Sequence, residues 1–168
     1  MERSAQGICW RSQSPAETRV LARGLAGALA ADGEVVSLVG ALGAGKTEFA
    51  KGLAEGLGIP AGRVASPTFA IAQELPLPAR PGGPRRLVHA DCFRLESREE
   101  LEAAGLSDWL APGSVLVAEW GDRFAAAFGS DRLEVRIREL ADGSREISGR
   151  ALGPGAARAL AGWRERCP

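Results

Sequence analysis

Val35-Val36-Ser37-Leu38-Val39-Gly40-Ala41-Leu42-Gly43-Ala44-Gly45-Lys46-Thr47 decides the fold of this chain. From Gly40 onward it fits the phosphate-loop pattern G-x-x-x-x-G-K-[ST]. The flanks agree with the motif: an apolar run that reads as a buried strand leads in, and Thr47 to Leu57 lead out as a helix. Glycines let the loop's backbone N–H groups turn inward around a phosphate, and the helix N-terminus adds its partial positive charge. Lys46 is expected to bridge the outer phosphates of a nucleotide, and the Thr47 hydroxyl to hold a magnesium ion. A Gly/Ala-rich turn that matches by chance is the competing reading, since the chain has 22 glycines. Charge usage argues against it. Of 21 Lys and Arg residues only Lys46 and Lys51 are lysines, so a Lys in the motif slot marks a need for a compact ammonium.

A strand, a phosphate loop and a helix imply an α/β protein, a P-loop-type sheet with helices on both faces. At 168 residues the expectation is one small domain, 1–168, large enough to bury a sizeable core. Apolar content of 45% and charged content of 25% are those of an ordinary soluble globular protein. The formal net charge is zero, which gives no reason to expect a chain that wraps nucleic acid or lies on an anionic membrane. No apolar run approaches the roughly 18 residues of a membrane span, and Met1 to Arg11 lacks the apolar segment of a signal peptide. A soluble, cytoplasmic protein is expected. Cys9, Cys92 and Cys167 are odd in number and form no C-x-x-C pair, so reduced thiols are expected in place of disulfides or a zinc site.

Two more apolar runs end in acids: Arg86-Leu87-Val88-His89-Ala90-Asp91 and Ser114-Val115-Leu116-Val117-Ala118-Glu119. Carboxylates at the C-terminal ends of strands in an open α/β sheet face the crevice where ligands bind. Asp91 and Glu119 are therefore candidates for holding metal and water behind the phosphate loop, with turn capping the plainer alternative for Asp91. Trp120 either shelters that site from water or belongs to the core. His89, the only histidine, has no partner acid in its motif and reads as structural.

Ser14-Pro15-Ala16-Glu17 is a helix start, with Ser at the N-cap, Pro in the first turn and Glu closing a capping box. Val20, Leu21, Leu25, Ala28 and Leu29 continue at helical spacing, and Gly33 supplies a stop. Capping is the preferred reading for Ser14, Glu17 and Thr18, and a place near an adenine is the other. Val64 to Ala72 is expected to be extended, because Pro67 disfavours a helical Ser66. Ser66-Pro67-Thr68 within it is either a switch that reaches the γ-phosphate or its metal, or an ordinary turn. Pro76 to Pro84 is a breaker-rich loop, and Ser97-Arg98-Glu99-Glu100 opens a short helix that ends at Gly105. Leu133 to Arg138 alternates as a half-exposed strand does, and Asp142-Gly143 turns it into a second strand, Arg145-Glu146-Ile147-Ser148. A last helix begins at Pro154, with Leu160 and Trp163 as anchors.

Taken in order, four motifs resemble the TsaE family (formerly YjeE), the ATPase component of the bacterial machinery that makes threonylcarbamoyladenosine on tRNA. They are Gly40 to Thr47, Ser66-Pro67-Thr68-Phe69, His89-Ala90-Asp91-Cys92-Phe93-Arg94-Leu95 and Val117-Ala118-Glu119-Trp120. The resemblance implies a small P-loop fold with slow ATP hydrolysis coupled to a partner complex. It places Leu42, Gly43, Ala44, Gly45, Lys46 and Thr47 on the phosphates, Thr47 and Glu119 on magnesium, and Asp91 near the attacking water. It also makes Ser66-Pro67-Thr68 a switch segment, with Thr68 at the nucleotide. The partners it implies are the TsaB and TsaD subunits, with tRNA reached through them.

Three positions depart from the family pattern: Ala41 stands where Asp is usual, Glu48 where Thr or Ser is usual, and Phe93 where Tyr is usual. Glu48 sits in the first helical turn, where the dipole favours an acid, but close to phosphates that would repel it, so slower turnover than usual for the family is expected. Two other classes of protein remain open on residues alone. A small-molecule kinase would carry an Arg-rich lid after the third strand, and Arg123 to Phe128 offers little basic surface. A non-catalytic switch that reports ATP occupancy is kept open by Ala41 and Glu48. A GTPase is disfavoured, because neither lysine belongs to an N/T-K-x-D guanine-reading motif.

Overall fold

A computed structural model describes residues 7–30, 33–67 and 70–167. Thr68 and Phe69 of the Ser-Pro-Thr-Phe motif lie outside the described residues. The strands are β1 (Ile8–Ser12), β2 (Glu34–Val39), β3 (Ala72–Pro76), β4 (Arg86–Asp91), β5 (Ser114–Glu119), β6 (Leu133–Glu139) and β7 (Arg145–Ala151). The helices are α1 (Pro15–Ala26), α2 (Lys46–Gly56), α3 (Arg98–Ala104), α4 (Leu106–Trp109) and α5 (Pro154–Arg166), with 3-10 segments at Ala61–Arg63 and Gly121–Phe128.

The strand that feeds the phosphate loop lies at the centre of a seven-stranded sheet of order β1-β7-β6-β2-β5-β4-β3. β2 pairs in parallel with β5 and β6, and β4 joins β5 in parallel, while β3, β7 and β1 complete the two sides antiparallel. The central parallel strands are covered on both faces, which is why their sequences read as continuous apolar runs. Val36, Leu38, Val115, Val117, Val135 and Leu87 point toward α1, α2 and α5, in one cluster with Leu25, Phe49, Leu53 and Trp163. Val35, Val88, Leu116 and Ala118 point the other way, onto Leu101 of α3 and Leu106 and Trp109 of α4. The expected α/β sheet with helices on both faces is the observed one.

Several local expectations are corrected. β1 was not legible as a strand, and it forms by pairing with β7 as an edge, its Trp10 ring 4.4 Å from that of Trp163. α1 stops at Ala26 instead of running to Gly33: Gly27 is the C-cap, and its N–H reaches back to Arg23 O. Residues 64–67 carry no regular structure, and the strand comes later, at β3, reaching into the stretch read as a loop. Pro76 is tolerated there because β3 lies at the edge of the sheet, where a missing N–H costs no ladder bond. Among the described residues no helix is long and apolar enough to cross a membrane.

Candidate functional site

The parallel strands all deliver their C-terminal ends to one side of the sheet. β2 ends at the phosphate loop, and β4 and β5 end side by side, with Asp91 opposite Glu119 in register. The loop turns through Gly43 and Gly45, whose φ angles are +77° and +113°. A Cβ at either would meet nothing within 4 Å, so neither is glycine for want of space. The left-handed backbone is the reason, because only there can successive N–H groups converge on an anion.

Lys46 opens α2 and is 4% exposed. Its ammonium donates to Gly40 O and Ala41 O, each at 2.8 Å, and lies 4.1 Å from the centre of the Trp120 ring. Burial holds its pKa below the ordinary lysine value, and the carboxylates of Glu119, Asp91 and Asp122 pull it back up. Thr47 donates from Oγ1 to Glu119 Oε1 at 2.9 Å. Asp91, 6% exposed, accepts from the Phe93 N–H at 2.9 Å, so its carboxylate is oriented by the chain that follows it.

His89 requires a correction as to its partner. Its own motif shows no partner acid for it beyond Asp91 two positions on, but Nε2 lies 2.8 Å from Glu119 Oε1 on the neighbouring strand. Since a carboxylate only accepts, Nε2 is the donor there. The ring is fully buried, and among the described residues Nδ1 has no hydrogen-bond partner. His89 is thus a buried structural residue, as expected, whose ring also orients the Glu119 carboxylate. The pairing was invisible because it depends on the β4–β5 register, which no local motif encodes.

The same cleft, about 360 Å³, is lined by Leu42, Gly43, Gly45, Lys46, Thr47, Ser66, Asp91, Phe93, Glu119 and Trp120, among others. Expected site residues Leu42, Gly43, Gly45, Lys46, Thr47, Asp91 and Glu119 thus come together at the cleft, whereas the Ala44 side chain is buried in the core and Thr68 lies outside the described residues. Trp120 does not belong to the buried core proper. It stands at the cleft in a left-handed conformation, φ +57°, with the Phe93 ring 5.1 Å away. Ser14 and Glu17 cap α1 as expected: Glu17 N–H donates to Ser14 Oγ, and Gln13 N–H to Glu17 Oε2.

Glu48 also lines the cleft, and two cations hold its carboxylate. Arg19 Nε reaches its Oε2 at 2.8 Å and Lys51 Nζ its Oε1 at 3.0 Å. Burial alone would raise its pKa, but Lys51 and Arg19 outweigh that and hold the carboxylate below the ordinary glutamate value. Its negative charge at the cleft is therefore paired with two cations.

The side chains fit a phosphate accompanied by magnesium. Thr47 and Glu119 offer hard oxygen donors side by side at the mouth of the loop. Among the described residues no three His, Cys, Asp or Glu side chains form a metal cluster.

A phosphate loop at the centre of a mixed sheet, with an ammonium and a hydroxyl at its mouth and carboxylates ending the adjoining strands, defines a P-loop α/β protein. Within that class the chain belongs to the TsaE family, whose model, "Threonylcarbamoyl adenosine biosynthesis protein TsaE", matches residues 12–147. It is 40% identical over 144 residues to the tRNA threonylcarbamoyladenosine biosynthesis protein TsaE of Bacillus subtilis, a match that covers 86% of this chain and 85% of the relative. The Streptomyces coelicolor protein of the same name is 44% identical over 131 residues, 77% of this chain and 84% of the relative. Among solved structures, Bacillus subtilis YdiB superposes with a TM-score of 0.76 at 31% identity, covering 99% of this chain and 100% of that one.

Proposed function

We propose that this protein binds ATP with magnesium and hydrolyses it slowly in the biosynthesis of threonylcarbamoyladenosine on tRNA, acting on a complex of the TsaB and TsaD subunits. The observation that carries the reading is the 2.9 Å pair of Thr47 Oγ1 and Glu119 Oε1 at the loop that Lys46 completes. Transfer of a phosphoryl group needs positioning and charge neutralisation more than covalent help from the protein. The loop amides cradle the phosphates, and the Lys46 ammonium leaves its loop carbonyls for the phosphate oxygens. Thr47 and Glu119 hold the magnesium ion, which when bound neutralises charge on the outer phosphates. Asp91, fixed by the Phe93 amide, orients the attacking water. Trp120 and Phe93 line the cleft and limit stray water. The pathway is supported by the family and by the names of the relatives.

Calorimetric titration with ATP and magnesium tests the binding step: wild type binds, and Lys46→Ala loses binding altogether. Glu119→Ala and Asp91→Ala are expected to abolish hydrolysis, measured as phosphate release with and without the partner complex. Full hydrolysis by Lys46→Ala, or a rate in wild type that ignores the partners, contradicts the proposal.

A further inference from the structure

Lys46 holds two of the loop carbonyls, and a third is held from β7, two strands away in the sheet. Arg145, the first residue of β7, donates from Nε to Ala44 O at 3.0 Å. Its Nη1 donates to Gly143 O at 2.5 Å and lies 3.2 Å from Glu139 Oε1. Acceptors from the loop, the hairpin turn and β6 thus fix the plane of the guanidinium, which one ammonium could not satisfy together. The hairpin meets the loop a second time at Gly40, where a Cβ would come within 2.5 Å of Ile137 O.

A peptide unit is planar and trans, so the direction of Ala44 C=O sets the opposite direction of Gly45 N–H. Gly45, at φ +113°, has no side chain to resist rotation of that peptide. A flip would turn a carbonyl toward the anion in place of an amide. We propose that Arg145 is a positioning residue that locks the Ala44–Gly45 peptide with its N–H facing the phosphates, so that the β6–β7 hairpin sets the affinity of the loop. This rests on the reading that the loop takes phosphates. If Arg145 served only its own hairpin through Gly143 and Glu139, its loss would lower stability and leave phosphate affinity alone.

The test compares wild type, Arg145→Ala and Arg145→Lys by calorimetry with ADP and by competition with inorganic tripolyphosphate, which has no nucleoside. Arg145→Ala is expected to weaken both ligands in parallel by roughly tenfold, the scale of a lost charge-assisted hydrogen bond. Arg145→Lys, whose ammonium can still reach Ala44 O, recovers part of that loss. Should Arg145→Ala fail to fold, Arg145→Lys carries the test alone, with affinity for both ligands below that of wild type. Unchanged ADP affinity in a folded variant overturns the inference and leaves the nucleotide reading standing. A loss for ADP with none for tripolyphosphate also overturns it, since Arg145 would then touch the nucleoside. Wild-type protein that binds neither ligand overturns both.

Discussion

Glu119 is the residue on which the neighbours of the site converge. One oxygen, Oε1, accepts from Thr47 at 2.9 Å and from His89 at 2.8 Å, so a helix start and an adjacent strand both dictate where the carboxylate points. Donors behind a metal-binding carboxylate usually matter almost as much as the ligand itself. His89→Leu, which keeps a buried apolar shape but removes the donor, is therefore expected to weaken magnesium affinity in the presence of ATP by roughly 10- to 100-fold. Nucleotide binding without magnesium should stay near the wild-type value, and calorimetric magnesium titration at fixed ATP checks both statements. Asp91 and Glu119 were legible as strand-end acids, but the histidine's partner was not, because it lies thirty residues away on the neighbouring strand. Cys92 shows the reverse case: burial pushes its thiol up to about 12, so it is an inert core group, as an unpaired cysteine on an apolar strand end should be.

At the level of elements, α1 and α2 pack more closely than ordinary side chains allow. A Cβ on Gly52 would fall 2.5 Å from the Arg19 Cα and O, and one on Gly56 would fall 2.5 Å from the Ala26 Cβ. Gly52→Ala would gain helix propensity in isolation but must push the helices apart here. A loss of about 1–3 kcal/mol is expected, read by urea unfolding. The same interface carries Glu48 between Arg19 and Lys51. Its folded pKa lies below the ordinary value of 4.5, so its contribution is present above that value and is lost as pH falls through the folded pKa. Wild-type stability should accordingly drop more steeply with acid than that of Glu48→Gln, measured by denaturant melts at a series of pH values. Helix starts at Ser14 and Ser97 were readable because a capping box is local, each Ser Oγ accepting from the N–H of the Glu three residues on. The end of α1 was not, because apolar spacing continues past Ala26 to Leu29, which packs against the core from beyond the Gly27 cap.

Across the whole molecule, the last helix ties the first strand to the phosphate-loop helix. Trp163 is fully buried, its ring 4.4 Å from Trp10 and 5.8 Å from Phe49, and its Nε1 donates to Leu21 O at 2.8 Å. Trp163→Ala opens a void shared by β1, α1, α2 and α5. A loss of about 3–5 kcal/mol is expected, and a melting temperature lower by roughly 10 °C in a scanning calorimeter. By itself the sequence determined the central architecture: the loop motif, its strand and helix, the two acids and the capped helices are written in spacings of a few residues, where local geometry leaves little choice. Tertiary structure alone decided that Ile8–Ser12 is a strand, that Pro76 ends one, that His89 serves Glu119 and that Arg145 braces Ala44. Each of these depends on which strands become neighbours, and strand order follows from how the whole chain buries both faces of its sheet, a property that no single stretch carries.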